Sequence, residues 1–97
     1  MPLFIVSLKF AANRGQAGQH MQAHKDWLDR GFADGVFLVS GSLHPNLGGA
    51  IIAHGTTIPA LQARVASDPF VSAGVVNAEI AEITPSRADE RLTFLLG

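Results

Sequence analysis

The chain opens on a strict alternation. Phe4, Val6, Leu8 and Phe10 fall on one side, with Leu3, Ile5, Ser7 and Lys9 on the other. A period of two predicts a strand over 3–10, because successive side chains of extended backbone point to opposite faces. A Gly-containing loop over 11–19 follows, and the period then lengthens to that of a helix over 19–34. On a 3.6-residue wheel Ala17, Met21, His24, Leu28 and Phe32 share one stripe, while Gln22, Asp26, Asp29, Arg30 and Asp34 face away. Gly31 and Gly35 are expected to mark the fraying end of that helix.

Residues 36–42 (VFLVSGS) are β-rich and apolar on both faces, and 48–54 (GGAIIAH) read as another strand. The Pro-Asn turn chemistry of 43–47 makes the pair a hairpin. Thr56 or Thr57 is placed to cap a second helix with Pro59 in its first turn. In Ala66–Gly74 the local rules start and stop a further helical piece: Asp68 caps, Pro69 takes the first position, and Gly74 ends it. A last strand over 75–84 stops at Pro85, and the tail, 86–97, runs from polar to apolar.

The resulting order, β-α-β-β-α-β, is the ferredoxin-like split βαβ motif in one α+β domain over 1–97 with a core of about 3–85. Both helices would cover one face of a four-stranded antiparallel sheet. The other face would carry several of Ile5, Val36, Leu38, Ile51 and Ile83, too apolar for open water. The expectation is a homodimer packed sheet to sheet; a monomer would need the C-terminal tail to cover that face.

Composition narrows the function. Apolar residues make up 47% of 97 positions and charged ones 15%, which excludes a disordered chain. The net charge of -1, with Lys and Arg scattered singly, leaves no electrostatic footprint for nucleic acid. Without Cys there is no disulfide, thiol nucleophile or Cys-ligated zinc, a composition compatible with the cytoplasm. The N-terminal run reads as a strand and not as a signal peptide, and no apolar run is long enough to span a membrane.

Candidate chemistry centres on two residues. His24 lies inside the apolar stripe, so its ring points at the sheet and needs a partner, because an unpaired buried polar group costs about 1–3 kcal/mol. It is either a core histidine satisfied by a backbone carbonyl or a general acid or base, a task that suits imidazole near neutral pH. Asp68 is an N-cap that has lone pairs to spare for the Nδ1–H of a histidine. His20 and His24 are spaced i, i+4 as metal ligands can be, but no third ligand or H-E-x-x-H pattern accompanies them, so no metal is assigned. Ser40-Gly41 is either a plain strand end or a hydroxyl beside backbone that substrate can approach; no nucleophile elbow surrounds Ser40. Gly48-Gly49 lacks the context of a phosphate loop. Asn77 and Glu79 share a strand face that either lines a dimer interior or is solvated. Trp27 and Phe70 read first as packing residues.

Four stretches together resemble a known family. They are His24 on the first helix, then Gly35-Val36-Phe37-Leu38-Val39-Ser40-Gly41, then Gly48-Gly49-Ala50-Ile51-Ile52, then Asp68-Pro69-Phe70-Val71-Ser72-Ala73-Gly74-Val75. The set resembles the YCII-related (YciI-like) domain family over about residues 3–85, with the Asp-Pro-Phe…Ala-Gly-Val segment its most specific part. The resemblance implies a ferredoxin-like fold paired as a dimeric α/β barrel, like that of muconolactone isomerase relatives. It also implies a His–Asp dyad, mapped onto His24 and Asp68, and lyase-like or dehydrochlorinase-like action on small ring compounds. Family members often carry Arg three residues before the His, where this chain has Met21, and RLTFLLG lies beyond the match.

The reading is a small enzyme that eliminates or isomerises a small organic molecule without a cofactor. His24 would transfer the proton, Asp68 would orient it, and Ser40, Gly41 and Phe70 would bind the substrate. The alternative is a ligand-binding or accessory module in which His24 and Asp68 only fix the fold.

Overall fold

A computed structural model describes residues 1–97. The opening alternation builds the middle of the sheet. Strand β1 (Leu3–Phe10) buries Phe4, Val6 and Leu8 on one face. It is flanked on both sides by antiparallel partners, β3 (Gly48–His54) and β4 (Val76–Ile83). β2 (Phe37–Leu43) pairs antiparallel with β3, so the sheet order is β2-β3-β1-β4. This is the ferredoxin-like arrangement, with the helices on one face.

Helix α1 (Ala17–Ala33) begins two residues earlier than its pattern predicts, led in by a 3₁₀ turn at Arg14–Gln16. The stripe is also rotated. Met21 and Phe32 are exposed, and the centre of the buried face is Trp27 and Gly31. Gly31 is therefore not a fraying end. A Cβ there would lie 2.1 Å from atoms of the Phe37 ring, so the missing side chain lets α1 sit directly on β2. The helix ends instead at Gly35, whose φ of +74° suits glycine. The Gly35 N–H donates to the Phe32 carbonyl and the Val36 N–H to that of Gly31, a Schellman closure.

The second helical region is broken in two, as its turn chemistry predicts. α2 (Ile58–Ala66) is capped by Thr57, whose hydroxyl accepts from the Ala60 N–H at 3.3 Å. α3 (Pro69–Ser72) is capped by Asp68 and closed by a second Schellman motif at Gly74, φ +72°. The core joins Phe4, Val6, Ile51 and Val76 of the sheet to Trp27, Leu61, Val65 and Phe70 of the helices. Each fully buried large apolar side chain contributes about 1.5–3 kcal/mol.

Two placements on the sheet differ from expectation. Ile51 pairs with Val6 and lies in the core, while Ile52 pairs with Ile5 on the face turned away from the helices. Val36 precedes β2. The helix-free face therefore carries Ile5, Ile52, Val39 and Ile83, with Asn77 and Glu79 at its β4 edge. The tail meets the sheet at its His54 end, where the Phe94 ring stands edge-on to His54 at 5.5 Å and Leu95 is buried. Leu92, Phe94 and Leu96 stay exposed. No helix is long and apolar enough to cross a membrane.

Candidate functional site

The site forms where α1 crosses the start of α3. Position 24 lies three residues before Trp27 on α1, and the Trp27 indole N–H is anchored by the Arg64 carbonyl at 2.9 Å. His24, one turn earlier on the same helix, comes against α3. There His24 Nδ1 lies 2.7 Å from Asp68 Oδ1. An ionised carboxylate only accepts, so a charged Asp68 would take its hydrogen bond from an Nδ1–H tautomer.

Asp68 is the one fully buried charged residue of the chain. Its Oδ1 accepts twice, from His24 and from the Phe70 N–H at 3.0 Å. Capping and orienting thus share one oxygen, and Oδ2 has no donor among the protein's groups. The His24 ring is 13% exposed and lies flat on Phe70, with centroids 4.0 Å apart and planes 3° from parallel. Trp27 stacks more loosely at 5.8 Å. The imidazole is thus held at one nitrogen and stacked flat on Phe70, which limits its freedom to turn.

The same ring borders a cavity of about 280 Å³. Leu8, Phe10, Ile51, Val76 and Leu28 give it apolar walls. Ser40, Gly41 and Phe70, the three residues singled out from the sequence for substrate binding, also border it. Ser40 and Gly41 do not end β2, which runs on to Leu43; they pair with Ile51 and Ala50 in mid-strand. Phe70 is therefore both a packing residue and a cavity wall.

Four further lining residues carry a weight at the cavity that the sequence did not assign them. Ser42 lies on the same face of β2 as Ser40, a relation that the period of two implies. Gly48 and Gly49 keep the opposite strand thin: a Cβ on Gly48 would meet the Leu8 carbonyl oxygen at 2.0 Å, and one on Gly49 the Gly41 carbonyl oxygen at 3.2 Å. Lys25, an exposed residue of α1, is also among the lining; its position next to His24 was the only signal. His20 is not among the cavity's lining residues, and no three His, Asp or Glu side chains converge as metal ligands.

A pocket that combines a held imidazole, a buried carboxylate and apolar walls can take a proton from a small bound molecule and return it. Comparison with known proteins gives two findings. The family model described as YCII-related domain matches residues 4–85. Among solved structures, the chain is similar to 5-chloro-2-hydroxyhydroquinone dehydrochlorinase (TftG) from Burkholderia phenoliruptrix AC1100, in complex with 2,5-dihydroxybenzoquinone. The TM-score is 0.64 at 18% identity, over 81% of this chain and 90% of the other. At that identity the likeness speaks to the fold. No protein of curated function matches the sequence.

Proposed function

The chain belongs to the YCII-related domain family, and on that premise we propose that it is a small enzyme of proton transfer, acting by elimination or isomerisation on a small cyclic molecule. The observation that carries the reading is the 2.7 Å contact between His24 and Asp68 on a ring that also borders the cavity. His24 Nε2 takes a proton from substrate carbon or oxygen. In an elimination the electrons of that bond form the new π bond and the leaving group departs with its pair. In an isomerisation His24 returns the proton at another atom. Asp68 keeps the hydrogen on Nδ1, so Nε2 is the free base, and it stabilises the imidazolium that forms. Phe70, stacked flat on the ring, favours that cation as well.

Ser40 and Gly41 bind the substrate opposite His24, with Phe70 beside it. The dehydrochlorinase named above supports elimination of chloride as the first reaction to test. The protein would work as a homodimer in the cytoplasm, with Ile5, Ile52, Val39 and Ile83 of the helix-free face covered by a second copy; light scattering reads that state directly.

The reaction is tested by chloride release from a panel of chlorinated hydroquinones, with wild type and His24→Ala side by side. Release that falls by about 10²–10⁴-fold in the variant is the expected result. Release that survives the substitution, or a wild type inert across chlorinated hydroquinones, halogenated phenols and small lactones, contradicts the proposal.

A further inference from the structure

We propose that Lys25 sets the substrate class of this cavity: the bound ring carries an anionic oxygen, a carboxylate or an ionised hydroxyl, and the Lys25 ammonium receives it. The inference rests on the reading of the cavity as a reaction site.

The charge pattern of the lining carries the argument. Fifteen residues border the cavity, and none of them is Asp or Glu. The nearest carboxylate behind the wall, Asp68, is fully buried and already accepts from His24 and Phe70. Lys25 is the one permanently cationic side chain of the lining. It makes no ion pair: the three pairs of the molecule are His24–Asp68, Arg64–Asp34 and Arg91–Asp89. Of the acids near it on α1, Asp26 accepts from Gln22 at 3.0 Å, and Asp29, one turn on, stays beyond ion-pair distance. An anion entering the cavity therefore meets an uncommitted ammonium and no repelling carboxylate.

Size and polarity agree. About 280 Å³ holds a single ring with its substituents. Ser40 and Ser42 lie together on one face of β2 and provide hydroxyls that donate or accept. Lys25 follows His24 directly on α1, so an anionic group held at Lys25 fixes the ring against the histidine. Met21, one turn earlier, adds a flexible apolar wall.

Benzoate and its neutral isostere benzamide separate charge from shape. Calorimetric titration of the full chain should show that wild type prefers benzoate. In Lys25→Gln, benzoate should weaken by about five- to tenfold, between an exposed ion pair and a sheltered charge-assisted bond, while benzamide stays unchanged. Lys25→Arg should keep the preference. Equal affinity of wild type for both probes, no binding of benzoate, or equal weakening of both in Lys25→Gln would each overturn the proposal. Lys25 is exposed, so an unaltered melting temperature checks that the variant is folded. The reaction fails separately: chloride release that persists in His24→Ala removes the proton-transfer role and leaves the anion preference standing.

Discussion

Two hollows of nearly equal volume lie between the helices and the sheet. One, about 280 Å³, lies between α1 and the β2–β3 hairpin; the other, about 300 Å³, lies between α2, α3 and β4. The second is lined by Gln62, Val65, Ala66, Val71, Ala78 and Ile80, with a single polar side chain and no titratable group. The first gathers His24, Lys25, Ser40 and Ser42 on apolar walls, with Asp68 behind the histidine. Volume does not distinguish them. What does is convergence: two separate elements, α1 and β2, bring polar groups to one space, and one of those groups is held at 2.7 Å by a fully buried partner. A groove that merely failed to close has no such support.

The comparison breaks first at His24. His24→Ala should lower turnover by about 10²–10⁴-fold, whereas Gln62→Ala, in the other hollow, should leave it unchanged. Equal losses from the two would erase the distinction. Asp68 sharpens the point, because Asn caps helices as well as Asp does. Asp68→Asn should therefore keep the melting temperature and still cost about 10²-fold or more in rate, since the orienting charge is gone. Asp68→Ala should lose the cap as well and be less stable than Asp68→Asn by about 1 kcal/mol in urea unfolding. If His24 and Asp68 only fix the fold, Asp68→Asn would change stability and leave rate alone.

A smaller effect is expected at Gly31, which seats α1 on Phe37 and so holds one wall of the first hollow only. Gly31→Ala should destabilise by about 1–3 kcal/mol, because its Cβ has no room beside the ring. Chemical denaturation reads that loss, and ligand binding at the first hollow should weaken with it. The smallest effect is expected from Val71→Ala. This half-buried wall of the second hollow should cost about 1 kcal/mol or less in stability and nothing in turnover.

Local rules made much of the fold legible. The alternation of β1, the Thr57 and Asp68 caps and the Gly74 stop are all written in short stretches, and the structure carries each of them. The errors came where neighbours decide. An apolar wheel counts Gly31 as a stop, but a bulky Trp27 and an absent side chain at Gly31 together make the best seat for Phe37, and they turn the helix away from Met21 and Phe32. Ala50-Ile51-Ile52-Ala53 is apolar at every position, so only its pairing with β1 shows that Ile51 faces the core. The candidate site was legible as two separate residues: a histidine in an apolar stripe and a capping aspartate. Local patterns did not show their meeting, because the two positions are 44 apart in sequence with the whole β2–β3 hairpin between them; only the family resemblance implied the pair. Lys25 carried no signal beyond its place next to His24; its meaning comes from the absence of carboxylates on walls supplied by other strands.

The central claim is that His24 presents Nε2 to the cavity because Asp68 holds the hydrogen on Nδ1. Nitrogen-15 NMR of the His24 imidazole, with and without benzoate, tests it directly. The account predicts a neutral ring protonated at Nδ1, with the coupling lost in Asp68→Asn, and an Nε2 resonance that moves when benzoate fills the cavity. A ring protonated at Nε2 in the wild type, or an Nε2 signal indifferent to bound benzoate, would contradict it.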